Sequence, residues 1–125
     1  MANQRAIVLV LDSSEPEKLA DFYAQLLGGE IQVETDLEHL TVSGPGGPYL
    51  QVRRNENMVP PVWPQAGITQ QTYVRLLVAA DEVDQAEREI IGLGGQPLDV
   101  DENGSTRDVR AFADPSGHPF TLATA

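Results

Sequence analysis

The chain opens on a continuous apolar run, Ala6-Ile7-Val8-Leu9-Val10-Leu11, that stops at Asp12-Ser13-Ser14. An unbroken run followed by turn chemistry predicts a strand buried on both faces. Ser14 then precedes Glu15-Pro16-Glu17, which places a capping hydroxyl, early acids and a proline at a helix start. Leu19, Phe22, Tyr23, Leu26 and Leu27 follow at helical spacing, and Gly28-Gly29 ends the helix. Three short extended segments come next, at 30–34, 39–43 and 49–53, the last two separated by Gly44-Pro45-Gly46-Gly47-Pro48. The first half thus reads βαβββ. Residues 55–72 carry three prolines and the one tryptophan without usable periodicity, and read as a long connection.

The pattern then repeats. Residues 73–78 predict a strand, 81–93 an amphipathic helix, and Gly94-Gly95 its end. Extended segments at 97–101, 107–113 and 120–123 complete a second βαβββ, separated by Glu102-Asn103-Gly104 and by Asp114-Pro115-Ser116-Gly117. Leu27-Gly28-Gly29 and Leu93-Gly94-Gly95 lie 66 residues apart, and the closing turns Pro45-Gly46-Gly47-Pro48-Tyr49 and Pro115-Ser116-Gly117-His118-Pro119-Phe120 correspond. Internal duplication accounts for both. A ferredoxin-like arrangement of two βαβ units needs only four strands, and eight strand candidates exceed that. The expectation is an α+β fold in a single domain over 1–125, with halves at 1–54 and 73–125 and a linker at 55–72.

Composition narrows the partners. With 125 residues and 41% hydrophobic positions, the chain suits one domain with a continuous core. A net charge of −11 and eight scattered basic residues argue against a nucleic-acid partner, which needs clustered Lys and Arg to displace counterions. The absence of cysteine removes disulfides, thiolate metal sites and a cysteine nucleophile. Ala6 to Leu11 is too short for a signal h-region or a membrane span, so no membrane role and a cytoplasmic location are expected.

Two motifs carry a resemblance. Glu15-Pro16-Glu17-Lys18-Leu19-Ala20-Asp21-Phe22-Tyr23 followed by Leu27-Gly28 resembles the first helix of glyoxalase-like domains. The ending Arg110-Ala111-Phe112-Ala113-Asp114-Pro115-Ser116-Gly117-His118-Pro119-Phe120-Thr121-Leu122 is similar to their closing hairpin. The chain is identified on these motifs as a member of the glyoxalase, bleomycin-resistance and dioxygenase (vicinal oxygen chelate) superfamily. The resemblance implies that each half curls its sheet and that the two concave faces enclose one cleft. In the family's enzymes a divalent metal is held there by His, Gln or Glu from the first and last strand of each half.

Those four places decide the chemistry, because hard or borderline cations need N and O donors. The first falls near Val8, in a window with no nitrogen or oxygen side chain; the second lies near Leu50 or Gln51, where only Gln51 offers a donor. On the fifth strand, alternation places Val74, Leu76 and Val78 against the helices and Tyr73, Arg75 and Leu77 on the other side. The family histidine would lie near Tyr73, with the cation Arg75 beside it, and Thr121 takes the place of the family's glutamate. His39 falls early in a middle strand and His118 in the closing turn, so neither substitutes.

No metal and no other cofactor are therefore expected. The remaining cleft candidates are Val8, Leu50, Gln51, Trp63, Tyr73, Arg75, Phe112 and Thr121, an apolar and aromatic set with one cation. Such a lining suits a small, partly aromatic molecule. The bleomycin-resistance branch is similar in lacking metal ligands and sequestering a drug, often as a homodimer. The alternative is a lyase, isomerase or dioxygenase of the superfamily acting on a small oxygenated substrate; no carboxylate or histidine is placed as its general base, so no catalytic residue is assigned.

Overall fold

The computed structural model describes residues 6–60, 73–98 and 109–124. The chain divides into two compact units, 1–58 and 59–125. The first contains strand β1 (Leu9–Ser13), helix α1 (Pro16–Leu27) and strands β2 (Glu30–Val33), β3 (His39–Gly44) and β4 (Gly47–Arg54). The second contains β5 (Val74–Val78), a single 3-10 turn (Ala80–Glu82), α2 (Val83–Gly92), β6 (Gln96–Pro97), β7 (Val109–Ala113) and β8 (Pro119–Thr124). Each unit is a βαβββ module with one four-stranded sheet, in the order β1-β4-β3-β2 and β5-β8-β7-β6. In both sheets the first and last strands pair parallel and the other pairs are antiparallel. The predicted α+β duplication is present. The Glu102-Asn103-Gly104 turn and residues 61–72 of the connection lie outside the described residues.

The opening apolar run behaves differently from its pattern. β1 begins only at Leu9, and Ile7 is 98% exposed and Val10 41% exposed. The strand sits at the edge of its sheet and has α1 on one side, so an apolar run here does not mean burial on both faces. It continues through Asp12 and Ser13 because polar partners hold it. Asp12 stands opposite Arg53, whose Nε and Nη2 donate to the two carboxylate oxygens at 2.8 and 2.6 Å.

Helix α1 starts at Pro16, whose fixed φ and missing N–H suit the first helical position. The hydroxyl at this end is that of Ser13, not Ser14: its Oγ accepts from the Glu15 N–H at 2.9 Å. The helix ends on Gly28 in the left-handed region, φ +66°, where a side chain is disfavoured. The matching Gly-Gly pair after α2 also opens on a positive φ, +110° at Gly94. Leu93 caps that helix in the right-handed region, and a Cβ added to Gly95 would stand 2.5 Å from Ile90 Cγ2.

In the first unit the buried Leu19, Phe22 and Tyr23 of α1 pack on β3 and β4, whose Leu40, Val42, Leu50 and Val52 are also buried. Each such side chain contributes about 1.5–3 kcal/mol. In the second, Val83, Ala86 and Ile90 of α2 are buried along with Phe112, Phe120 and Leu122, and the two phenylalanine rings stack at 5.7 Å. The closing hairpin is fixed by Asp114, whose Oδ1 accepts from the N–H groups of Ser116 and His118, both at 3.0 Å. Among the described residues, no helix is long and apolar enough to cross a membrane.

Candidate functional site

The ion pairs of two arginines show which face of each sheet its helix covers. Arg54, at the end of β4, pairs with Glu17 of α1, and Arg110 of β7 reaches Asp84 and Glu87 of α2, both at 3.0 Å. Side chains alternate along a strand, so Leu50 and Val52 share the helix side with Arg54, and Phe112 shares it with Arg110. The helix-free face of the first sheet then carries Val10, Gln51, Thr41 and Gln32 in one register line, with Asp12, Arg53 and His39 in the next. The helix-free face of the second carries Arg75, Thr121 and Ala111 in line.

This sorts the residues singled out from the sequence. Gln51, Tyr73, Arg75 and Thr121 belong to helix-free faces. Leu50 (3% exposed) and Phe112 (0%) lie on the opposite sides, in the cores. Val8 precedes β1, half-buried, and it is Val10 that stands opposite Gln51. Trp63 lies outside the described residues.

On the first sheet the polar groups form chains. Gln51 Nε2 donates to Thr41 Oγ1 at 3.1 Å, and Thr41 Oγ1 donates to Glu34 Oε2 at 3.0 Å. The amide of Gln51 is thereby turned with its nitrogen along the strand pair, which leaves its carbonyl oxygen as the acceptor for a neighbour. Asp12 is shared by Arg53 and by Asn55 Nδ2 at 2.9 Å, and its hydrogen bonds and charge raise the pKa of Arg53 further above its ordinary value. Beyond β2, Asp36 accepts from the N–H groups of Glu38 and His39 and meets His39 Nδ1 at 2.8 Å; the backbone N–H of Glu38 is the largest cause of its lowered pKa, followed by the bonds from His39. Sequence reasoning missed Thr41, Glu34, Asp12 and Arg53. The signal was the period-2 recurrence of polar residues in Gln32/Glu34, His39/Thr41 and Gln51/Arg53.

On the second sheet, Arg75 Nη2 lies 3.3 Å from the Tyr73 hydroxyl, and the guanidinium carbon sits 6.0 Å from the ring centroid. Across the parallel pair Thr121 is 5% exposed, and its hydroxyl has no hydrogen-bond partner among the described residues. The residues that the resemblance assigns to metal donors, a valine, an amide, a phenol and an alcohol, do not suit a divalent cation, and in the second unit a guanidinium shares a face with the last two. Among the described residues no three His, Cys, Asp or Glu side chains group as a metal would require.

Comparison with known proteins supports the fold. The fosfomycin resistance protein FosX from Listeria monocytogenes superposes with a TM-score of 0.70 at 15% identity, over 99% of this chain and 93% of that one. A hypothetical protein from S. aureus gives 0.65 at 21% identity over 97% of both chains. A glyoxalase/dioxygenase from Nostoc punctiforme gives 0.63 at 18% identity over 99% of this chain and 98% of that one. At such identities the likeness concerns the fold alone. An E126Q form of FosX has been solved with Mn(II) and 1S,2S-dihydroxypropylphosphonic acid. No curated protein sequence matches this chain. The family model of the glyoxalase-like domain matches residues 8–123, nearly the whole sequence, and the chain belongs to that family.

Proposed function

We propose that this protein binds a small, partly aromatic molecule without a metal ion and holds it rather than transforming it. What supports this reading is that Val8, Gln51, Tyr73 and Thr121, the residues the resemblance sets at the metal places, include no imidazole or carboxylate, and that Arg75, in register with Thr121 and beside Tyr73, adds positive charge that repels a divalent cation. Gln51, Tyr73 with Arg75, and Thr121 leave on the helix-free faces an amide carbonyl, a cation lying against an aromatic ring, and hydroxyls, while His39 and Asp12 of the first sheet are engaged by Asp36 and Arg53. These groups fix the orientation of a ligand but supply no obvious general base. Sequestration of an antibiotic-like molecule in the cytoplasm, by a homodimer, is the biological form of this activity.

Native mass spectrometry of protein purified from its own host without chelator tests the proposal. The expected result is a dimer whose mass includes an organic ligand and no metal. One equivalent of a divalent ion per chain, or release of the ligand by EDTA, would overturn it. Recovery of a chemically altered ligand after incubation would favour the enzymatic alternative.

A further inference from the structure

We infer that Arg75 and Thr121 together form the recognition point for a carboxylate on the bound molecule; this rests on the small-molecule reading above and names its ligand class. Three observations meet here. Arg75 and Thr121 are direct register partners across the parallel β5–β8 pair, so their side chains leave the same face. Arg53, Arg54 and Arg110 each hold a carboxylate of this chain, which has 19 acids, whereas Arg75, like Lys18 and Arg88 on the helices, has none among the described residues. Thr121, more than nine-tenths buried, keeps a hydroxyl with no partner on this face.

A buried hydroxyl without a partner lowers stability, so it persists where something outside the chain uses it. The Tyr73 hydroxyl and ring hold the guanidinium from one side, leaving N–H groups of its fork to donate. Thr121 adds a third donor, and Ala111, next in register, contributes only a methyl group beside it. A carboxylate accepts on both oxygens and matches a guanidinium in a bidentate bond. A neutral amide brings no charge to the guanidinium and offers its fork only one oxygen. The chain's net charge of −11 repels anions at long range, so a local cation left unneutralised is the condition for admitting one.

Calorimetric titration of the full chain with 2-naphthoate and with 2-naphthamide tests this. Naphthoate should bind about tenfold more tightly or better, the ratio expected of a charge-assisted bond. Arg75→Gln should weaken naphthoate far more than naphthamide and so remove that preference. Thr121→Val should weaken naphthoate several-fold without lowering Tm, because it removes a hydroxyl that bonds nothing in the free protein. Equal affinity for the two probes, or an equal loss of both in Arg75→Gln, would overturn the carboxylate assignment while small-molecule binding stood. A Thr121→Val variant that loses Tm would show the hydroxyl to be structural and overturn its part. If neither probe bound, the small-molecule reading would fail and the assignment with it.

Discussion

Replacing Phe112 by leucine separates a core side chain from a ligand-lining one. Phe112 is fully buried, shares the helix side of its sheet with Arg110, and stacks on Phe120 at 5.7 Å with the rings 27° apart. Leucine keeps most of the apolar burial but forfeits the ring pair, about 0.5–1.5 kcal/mol. It also changes shape in a packed site, which adds up to about 1.5 kcal/mol. The expected loss is about 0.5–3 kcal/mol, equivalent for a domain of this size to a fall in Tm of roughly 2–12 °C. Differential scanning calorimetry reads that fall, and a parallel ligand titration should give an unchanged dissociation constant. A variant that melts within about one degree of the parent but binds ligand differently would refute the placement of Phe112 in the core.

Two further perturbations test the first sheet. Thr41→Val cuts the chain from Gln51 through Thr41 to Glu34, leaving a donor and an acceptor without their partner. It should cost about 1–2 kcal/mol in urea unfolding, and an unchanged midpoint would show that the chain is not held together in solution. Asp36 carries a lowered pKa, first through the N–H of Glu38 and then through His39, so between the folded and ordinary values the unfolded chain binds the extra proton. Its contribution is complete above the ordinary value of 3.8 and disappears as pH falls below that through the folded value. Asp36→Asn should therefore flatten the acid limb of the stability profile below about pH 4; superimposable limbs would contradict the assignment.

The duplicated architecture was legible in the sequence because the signals that carry it are local. Periodicity, paired glycines and the Asp-Pro-Ser-Gly turn each act within a few residues. Local signals do not tell an edge strand from an inner one, so the run 6–11 read as fully buried although β1 is an edge. Nor do they set register. Leu50 and Phe112 are apolar residues one step from Gln51 and Ala111, and a one-residue ambiguity moves a side chain to the other face. Arg54 and Arg110 resolve it by reaching helix acids, and those partners lie 37 and 26 residues away in the chain, beyond any local pattern. The orphaned hydroxyl of Thr121 is a property of its surroundings and has no sequence signature at all.

In each module the strand made last is inserted between two made earlier: β4 lies between β1 and β3, and β8 between β5 and β7. The parallel ladders that begin at Leu9–Leu50 and Val74–Phe120 each close a loop of roughly forty residues or more. A module therefore has no partial sheet that includes its first strand, and assembly waits on a contact of high sequence separation, which slows folding. During synthesis the first module can close once Arg54 has emerged, whereas β5 stays unpaired until β8 follows it. Losing β8 to truncation or proteolysis would strip β5 of the one ladder it has among the described residues, while losing an edge strand such as β2 would leave β1, β3 and β4 joined.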